Sequence, residues 1–176
     1  MDNIQHTQLT HDKHKYLGYK YPLAFMLDNI IDPINVGAAF RLADALGAEK
    51  ICLLGDTPYP PNRIITKTAR STEKYVPWEH YDKMTECLSK ITAEGYSIIS
   101  AEITDNSKEL SDFKDFKKFN KICLVVGAEN KGICQEILDY SIEVVHIKMV
   151  GINSSMNAIT ALSIIAYQII SQWLNK

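Results

Sequence analysis

The sequence predicts an α/β domain with a mostly parallel sheet flanked by helices. Short apolar runs of a length typical of buried strands recur along the chain, and segments with helical spacing of apolar residues separate them. Strands that alternate with helices in this way are typical of parallel sheets. In such sheets a ligand lies outside the carboxyl ends of the strands. The loops of interest therefore follow Leu27, Leu54, Ala101, Val126 and Met149.

The elements follow in order along the chain. Residues 1–20 are polar and predict an amino-terminal arm, which leaves 21–176 for a single domain. Apolar runs predict strands at 22–27, 48–54, 97–101, 121–126 and 144–149. Helical spacing and stop signals predict helices at 35–46, 63–70, 82–93 and 155–174. The last helix is apolar around much of its circumference, so we expect it to be central in the domain or shared with a second subunit.

Composition bounds the class of protein. The 176 residues are 46% hydrophobic, which is typical of a globular protein. With 21 acidic and 19 basic side chains, the net charge is −2. This charge argues against a tail-driven nucleic-acid binder but allows a local basic patch. Four scattered cysteines without a C-x-x-C pair, and no apolar leader, predict reduced thiols in a cytoplasmic protein. We expect no membrane span and, because His11 and His14 lack supporting ligands, no metal.

The loop V-V-G-A-E-N-K-G-I after the fourth predicted strand contains two glycines, Gly127 and Gly132. Ile133 stands where a phosphate-binding P-loop needs its lysine, which disfavours nucleoside triphosphates. No G-x-G-x-x-G follows any strand, which disfavours a dinucleotide-dependent redox protein. The glycines indicate either close approach of a ligand or a tight turn.

Two polar residues of the first predicted helix are candidate functional residues. Asn35 is placed as its N-cap, with Gly37 in the first turn where another backbone or a ligand could come close. Arg41 lies among apolar neighbours, so it either pairs with Asp44 or faces an anion such as a phosphate. At the last helix, Asn153, Ser154 or Ser155 could act as the N-cap.

Three motifs in this order resemble the SpoU (TrmH-like) branch of the SPOUT RNA 2′-O-ribose methyltransferases, over residues 22–173. The matching residues are Asn35, Gly37, Arg41 and Gly47; then Gly127, Glu129 and Gly132; then Ile147, Met149, Gly151, Ser155 and Asn157. Lys148 replaces the proline that the family has before the methionine, and Met156 replaces a leucine. The second change conserves volume.

The resemblance implies a carboxyl-terminal trefoil knot, a homodimer formed through the last helix, and S-adenosylmethionine bound by the knotted loops. The cofactor-binding residues would be Ala101, Gly127, Gly132, Ile147, Met149, Ser155, Met156 and Asn157. The catalytic residues would be Arg41, Asn35, Glu129, Ser155 and Asn157, with Asn35 and Glu129 orienting Arg41 near the RNA phosphate and the target hydroxyl. The substrate would be RNA, with tRNA favoured over rRNA.

A basic row is visible without the resemblance. Arg63, Lys67, Arg70 and Lys74 are spaced so that one helix would present all four on one face, either as a solvated surface or, with Arg41, as an RNA-binding surface. Two hypotheses follow from the sequence. The first is an RNA 2′-O-methyltransferase, and the alternative is a non-catalytic SPOUT-like module that binds RNA or cofactor during RNA assembly.

Overall fold

The computed structural model describes residues 8, 18–153 and 155–174. The strands are β1 (Tyr21–Asp28), β2 (Ala48–Leu54), β3 (Trp78–Tyr81), β4 (Ser97–Ala101), β5 (Lys108–Glu109), β6 (Ile122–Gly127) and β7 (Glu143–His146). The α-helices are α1 (Pro33–Leu46), α2 (Arg63–Ala69), α3 (Met84–Ala93), α4 (Gln135–Tyr140) and α5 (Ala158–Leu174). The strands form one sheet in the order β3-β2-β1-β6-β4-β7-β5, and every neighbouring pair is parallel.

The predicted α/β class with a parallel sheet is confirmed, and all five predicted strands and four predicted helices are present. Strands β3 and β5 and helix α4 were not predicted. Strand β3 has only half-buried residues, β5 has two residues, and α4 buries only Ile137, so none has an apolar pattern that a sequence could reveal. Most of the predicted arm, 1–20, lies outside the described residues.

Helices cover both faces of the sheet. Alternate residues of the central strands point to opposite sides, so each strand contributes to a core on either face. On one face, Leu23, Phe25 and Leu27 of β1 belong to a core that includes α1, α2 and α5. On the other face, Ala24 and Met26 of the same strand belong to a core with α3 and α4. Two-sided burial leaves the carboxyl edge of the sheet as the place where loops can form a site.

The cysteines are free thiols. Cys52 and Cys123 are fully buried in β2 and β6, as their apolar surroundings predicted, and Cys87 is buried beside them on α3. Burial raises the pKa of the Cys123 thiol, and a hydrogen bond with Cys52 together with burial raises the pKa of Cys87. The Cys87 and Cys123 thiols therefore stay protonated near neutral pH. No helix in the described ranges is long and apolar enough to cross a membrane.

Several predicted element ends were wrong by one to three residues, and three of them lie at the carboxyl edge of the sheet. Helix α1 begins at Pro33, and Asp32 is its N-cap, accepting a bond from the Ile34 amide at 2.9 Å, so Asn35 lies inside the helix. An aspartate followed by proline at the first helical position is a stronger start signal than asparagine. Helix α5 begins at Ala158 rather than 155, because its cap is Asn157. Strand β7 ends at His146 instead of 149, since the chain leaves the sheet there.

Candidate functional site

Two cavities lie at the carboxyl edge of the sheet and share one wall. The first lies beyond β4, β6 and β7 and is closed by the start of α5. The second lies beyond β1 and β2, between the start of α1 and the loop after β6. Residues Ala128, Glu129 and Asn130, which directly follow the central strand β6, line both. This is the edge at which the sequence predicted a ligand.

The first cavity gathers most of the residues predicted to bind a cofactor. Its lining includes Ala101, Gly127, Gly132, Ile147, Met149, Ser155 and Met156. Asn157 does not line it but donates a hydrogen bond to Glu129, which does. The far wall consists of Ala158, Ala161 and Ile165 of α5, so small and aliphatic side chains form most of that side. The cavity measures about 190 Å³.

Three polar residues of this cavity, Glu102, Asn130 and His146, were not predicted. Glu102 follows β4 directly, and its carboxylate accepts the backbone amides of Ile133 at 3.1 Å and Ile103 at 2.9 Å. It thereby fixes the end of the glycine loop against β4. His146 lies at the end of β7, with its Nδ1 3.0 Å from the Ser107 hydroxyl. A carboxylate immediately after a buried strand is the signal that could have identified Glu102.

The glycines of the loop after β6 are required by its backbone. The Gly132 amide donates to the Ala128 carbonyl at 2.8 Å, closing a tight turn. A Cβ on Gly127 would lie 2.2 Å from the carbonyl carbon of Gly132, and Gly132 itself has φ +67°. Of the two alternatives left open by the sequence, the tight turn explains both glycines. The turn also brings Glu129 to the wall between the cavities.

Asn35, Glu129 and Asn157 form a hydrogen-bonded polar triangle on that wall. The Asn157 amide donates to the Asn35 side-chain oxygen and to Glu129 Oε1, both at 3.0 Å, and the Asn35 amide donates to the same Oε1 at 3.3 Å. Asn35 is buried, and the other two residues are exposed. Three segments far apart in sequence, α1, the loop after β6 and the start of α5, therefore meet at one carboxylate.

Arg41 does not join this triangle. Its side chain is exposed, lines neither cavity, and forms no ion pair or hydrogen bond with the described part of the chain. The alternative pairing of Arg41 with Asp44 is therefore wrong. Asn35 and Glu129 do not contact Arg41 among the described residues, and their orienting role stays a prediction. Gly37, one helical turn earlier, lets α2 approach: a Cβ there would lie 2.7 Å from the Thr68 Cβ.

The basic row is exposed but does not lie on one helix. Arg63 and Lys67 belong to α2, which ends at Ala69; Arg70 is the C-cap with φ +53°, and Lys74 ends a separate 3-10 turn. The single-helix prediction was wrong because the chain reverses through left-handed conformations at Arg70 and Ser71. All four basic side chains are exposed, and none forms an ion pair with a described residue.

Lys148, the departure from the family's proline, points away from the first cavity. Its ammonium lies 3.2 Å from the Glu109 carboxylate at the sheet edge. Hydrogen bonds from Ser111 and from Lys148 lower the pKa of Glu109. The neighbouring Ile147 and Met149 still line the cavity, so the replacement leaves the cavity wall in place.

The parallel sheet, with a cavity between its central strands, the glycine loop and the last helix, defines the chain as an α/β protein with a candidate ligand site at the carboxyl edge of its sheet. The family follows from the sequence. The model of the SpoU rRNA Methylase family matches residues 22–167, so the chain belongs to that family.

Individual relatives and solved structures agree with the assignment to this family. The chain is 28% identical over 152 residues to the 23S rRNA (guanosine-2′-O-)-methyltransferase RlmB of Ralstonia nicotianae, covering 86% of this chain and 59% of the relative. It is 25% identical over 146 residues to the tRNA (guanosine(18)-2′-O)-methyltransferase of Escherichia coli K12, covering 83% and 62%. The SpoU methyltransferase AviRb of Streptomyces viridochromogenes, solved in complex with AdoMet, has the same fold, with a TM-score of 0.78 at 22% identity, covering 87% and 61%. The chain thus spans about three fifths of the length of these curated relatives.

Proposed function

We propose that the chain is an S-adenosylmethionine-dependent RNA 2′-O-ribose methyltransferase. The observation that carries the proposal is the position of Glu129, which lines both cavities and is held there by Asn35 and Asn157. A methyl transfer needs a donor site and an acceptor site side by side, with a polar group between them. The relatives named as RNA 2′-O-methyltransferases support the same activity.

The first cavity has the chemistry that S-adenosylmethionine requires. Ile147, Met149 and Ile165 offer apolar surface for an adenine ring. Glu102 and Glu129 bring carboxylates to a ligand that carries a positive sulfur. The volume is below the ~300 Å³ at which ligand pockets usually begin, so part of the cofactor would lie along the rim, where Ser155 and Met156 are placed.

The chain's own residues mainly align the reacting atoms. Bound S-adenosylmethionine would supply a methyl group on a good leaving group, so a ribose 2′-oxygen needs a nearly in-line approach and a free carboxylate oxygen that can take its proton as the new C–O bond forms. Glu129 Oε1 is occupied by the two asparagine amides, whereas Oε2 forms no hydrogen bond with a described residue and is free to orient the 2′-hydroxyl. The Arg41 guanidinium carries only hydrogen-bond donors and no acceptor, so it is not suited to take the hydroxyl proton. We assign it to an RNA phosphate instead.

RNA would be held by the exposed cations. Arg41 and the basic row lack counter-charges within the described residues, and guanidinium and ammonium groups in that state bind phosphates. We propose tRNA as the first substrate to test and rRNA as the second, in a cytoplasmic enzyme.

A homodimer formed through α5 is part of the proposal. Tyr167 and Leu174 are 66% and 68% exposed on this helix, and Val150 and Ile152 of the preceding loop are 90% and 106% exposed. Large exposed apolar side chains gain from burial against a second subunit, which supports an interface at this helix and loop. We also propose that residues 21–176 form one domain whose carboxyl-terminal part is knotted. Light scattering of the wild-type protein and of Tyr167→Glu tests the dimer, and a monomeric wild type would contradict it.

The central test combines binding and transfer. We expect calorimetry to detect S-adenosylmethionine binding, and radiolabelled methyl to appear in tRNA or rRNA as a 2′-O-methylated nucleoside identified by mass spectrometry. Absence of cofactor binding at high micromolar concentration would rule out the proposal. Cofactor binding without transfer to either RNA would favour the non-catalytic module.

A further inference from the structure

A cluster of three aromatic rings lies outside both cavities, between the loop after β2 and the edge strand β3. Tyr59 in that loop packs on Trp78 and His80 of β3, with ring centroids 6.0 and 4.4 Å away. These two strand residues are separated by one position, so their side chains lie on the same face of β3. They therefore cover one face of the Tyr59 ring, and this side chain is still 49% exposed.

The supporting rings are themselves fixed. Trp78 packs edge-on against Phe40 of the buried core, with the ring centroids 6.5 Å apart. His80 Nε2 donates to the Gly55 carbonyl at 2.9 Å, at the start of the same loop. The Tyr59 hydroxyl forms no hydrogen bond with a described residue, so packing alone positions this ring. An exposed aromatic ring on a fixed support is suited to stack on another planar group.

Two cations follow this tyrosine in the chain. Arg63 and Lys67 line a groove of about 380 Å³ together with Pro61, Asn62 and Thr66. The two cations are one helical turn apart on α2, so their side chains lie on the same side of the helix. Both are exposed, and neither forms an ion pair among the residues that the structure describes. The groove therefore offers two uncompensated positive groups close to an exposed ring.

An aromatic ring beside unpaired cations fits an unpaired stretch of RNA. Every base has a flat face that can stack on a tyrosine, and the phosphates of the same strand pair with neighbouring cations. Bases in a duplex are already stacked on their neighbours, whereas unpaired bases can turn out and stack on protein side chains. The surface formed by Tyr59, Arg63 and Lys67, here called the stacking surface, is therefore suited to single-stranded RNA.

The stacking surface lies at the same edge of the sheet as the two cavities. His80 pairs in register with Leu53, next to the end of β2, so Tyr59 lies near the carboxyl end of β3. Strands β3, β2, β1 and β6 are consecutive neighbours, and Glu129 follows β6. Three strand spacings separate β3 from β6, which is about 14 Å. A nucleotide stacked on Tyr59 is thus displaced from the reacting ribose and belongs to a neighbouring position of the strand.

We propose that the stacking surface binds an unpaired nucleotide that flanks the one to be methylated, an inference that rests on the proposed function. The base of the flanking nucleotide stacks on the open face of Tyr59. Its adjoining phosphates contact Arg63 and Lys67. Because stacking tolerates any base, this contact selects for an unpaired flanking nucleotide and not for a particular sequence.

The test measures binding of two fluorescently labelled probes by anisotropy, a short oligouridylate and an RNA duplex of the same length. We expect Tyr59→Ala to weaken oligouridylate binding about five- to a hundredfold, as loss of one base–aromatic stack does, and to leave duplex binding unchanged. Tyr59→Phe keeps the ring and should bind like the wild type. The matched control is Tyr140→Ala, at a tyrosine that is 59% exposed at the end of α4, and it should change neither affinity.

A salt series separates stacking from charge. Stacking releases no counterions, so Tyr59→Ala should keep the slope of log affinity against log salt for oligouridylate. Arg63→Ala removes one phosphate contact and should reduce this slope by about 0.7, the value per contact for single strands. If Tyr59→Ala reduced the slope as Arg63→Ala does, the tyrosine would act by placing the cations, and the proposed stack would be overturned.

The outcomes separate this inference from the proposed function, because binding is measured without a cofactor. Unchanged oligouridylate binding by Tyr59→Ala, or an equal loss for the duplex, would overturn the stacking surface. Methyl transfer to RNA by the wild type, measured in parallel, reports on the function alone. If transfer occurs while Tyr59→Ala binds oligouridylate like the wild type, the function stands and the stacking surface fails. If transfer is absent while the loss specific to the single strand persists, the stacking surface stands and the proposed function fails.

Discussion

The side-chain amide of Asn157 donates a 3.0 Å hydrogen bond to the carboxylate of Glu129. The side-chain oxygen of Asn157 also accepts the backbone amides of Ile159 and Thr160, at 2.9 and 3.2 Å, and so caps helix α5. One side chain thus starts the last helix and fixes the carboxylate between the two cavities. The beginning of α5 and the geometry of the proposed site are therefore coupled.

Two substitutions at Asn157 separate these roles. Asn157→Ala removes both the cap and the bonds to the polar triangle, whereas Asn157→Ser keeps a capping oxygen but is too short to support Glu129. We expect the alanine variant to lose about 1–2 kcal/mol of unfolding free energy and the serine variant less. Both should slow methyl transfer at least tenfold, because a displaced positioning group has large effects on rate. Denaturant unfolding and transfer assays measure the two quantities.

Asn153→Ala is the control for the Asn157 variants. Asn153 is exposed in the same loop and forms no hydrogen bond with the described residues. It should change neither stability nor rate. A serine variant with wild-type activity would show that the triangle does not position Glu129 for the reaction.

The sequence predicts the fold more completely than the site, for physical reasons. Long apolar runs such as β1 and β6 are buried on both faces, and their composition alone reveals them. Eight of the 18 residues that line the first cavity were predicted, and they were predicted through the resemblance to the family. The contacts of Asn35 were not, because its partners lie 94 and 122 residues away. Short elements such as β5 are stabilised by their neighbours in the sheet and leave no pattern of their own.

Gly127 and Gly151 both belong to family motifs but differ in their surroundings. A Cβ on Gly127 would lie within 2.4 Å of three backbone atoms of Gly132 and Ile133, whereas one on Gly151 would meet nothing within 4 Å. We expect Gly127→Ala to cost about 1–3 kcal/mol of unfolding free energy, as overpacking does. Gly151→Ala should stay within about 0.5 kcal/mol of the wild type. Equal stability of the two variants in chemical denaturation would contradict the tight turn as the reason for Gly127.

Arg41 is exposed and unpaired among the described residues, so its replacement should leave stability unchanged to within about 0.5 kcal/mol. If it binds an RNA phosphate, Arg41→Ala should lower methyl transfer strongly. Arg41→Lys should restore only part of the rate, because an ammonium keeps the charge but loses the bidentate geometry. Lys117→Ala, at another exposed cation without an ion pair, is the control for general loss of charge. Full activity of Arg41→Lys would indicate that charge alone is needed.

The basic row provides a test of how a chain with a net charge of −2 binds a polyanion. Each phosphate contact releases counterions, so the dependence of affinity on salt counts the contacts made. Reversing two charges, Lys67→Glu with Arg70→Glu, should weaken RNA binding and reduce the slope of log affinity against log salt by roughly two. The control, Lys114→Glu with Lys117→Glu, makes the same change in net charge on a distant surface and should preserve the slope. Filter-binding measurements across a salt series give the slope for each variant. If the basic row binds RNA, the slope is reduced only in the variant with Lys67→Glu and Arg70→Glu. Equal slopes in both variants would mean that RNA is bound elsewhere on the protein.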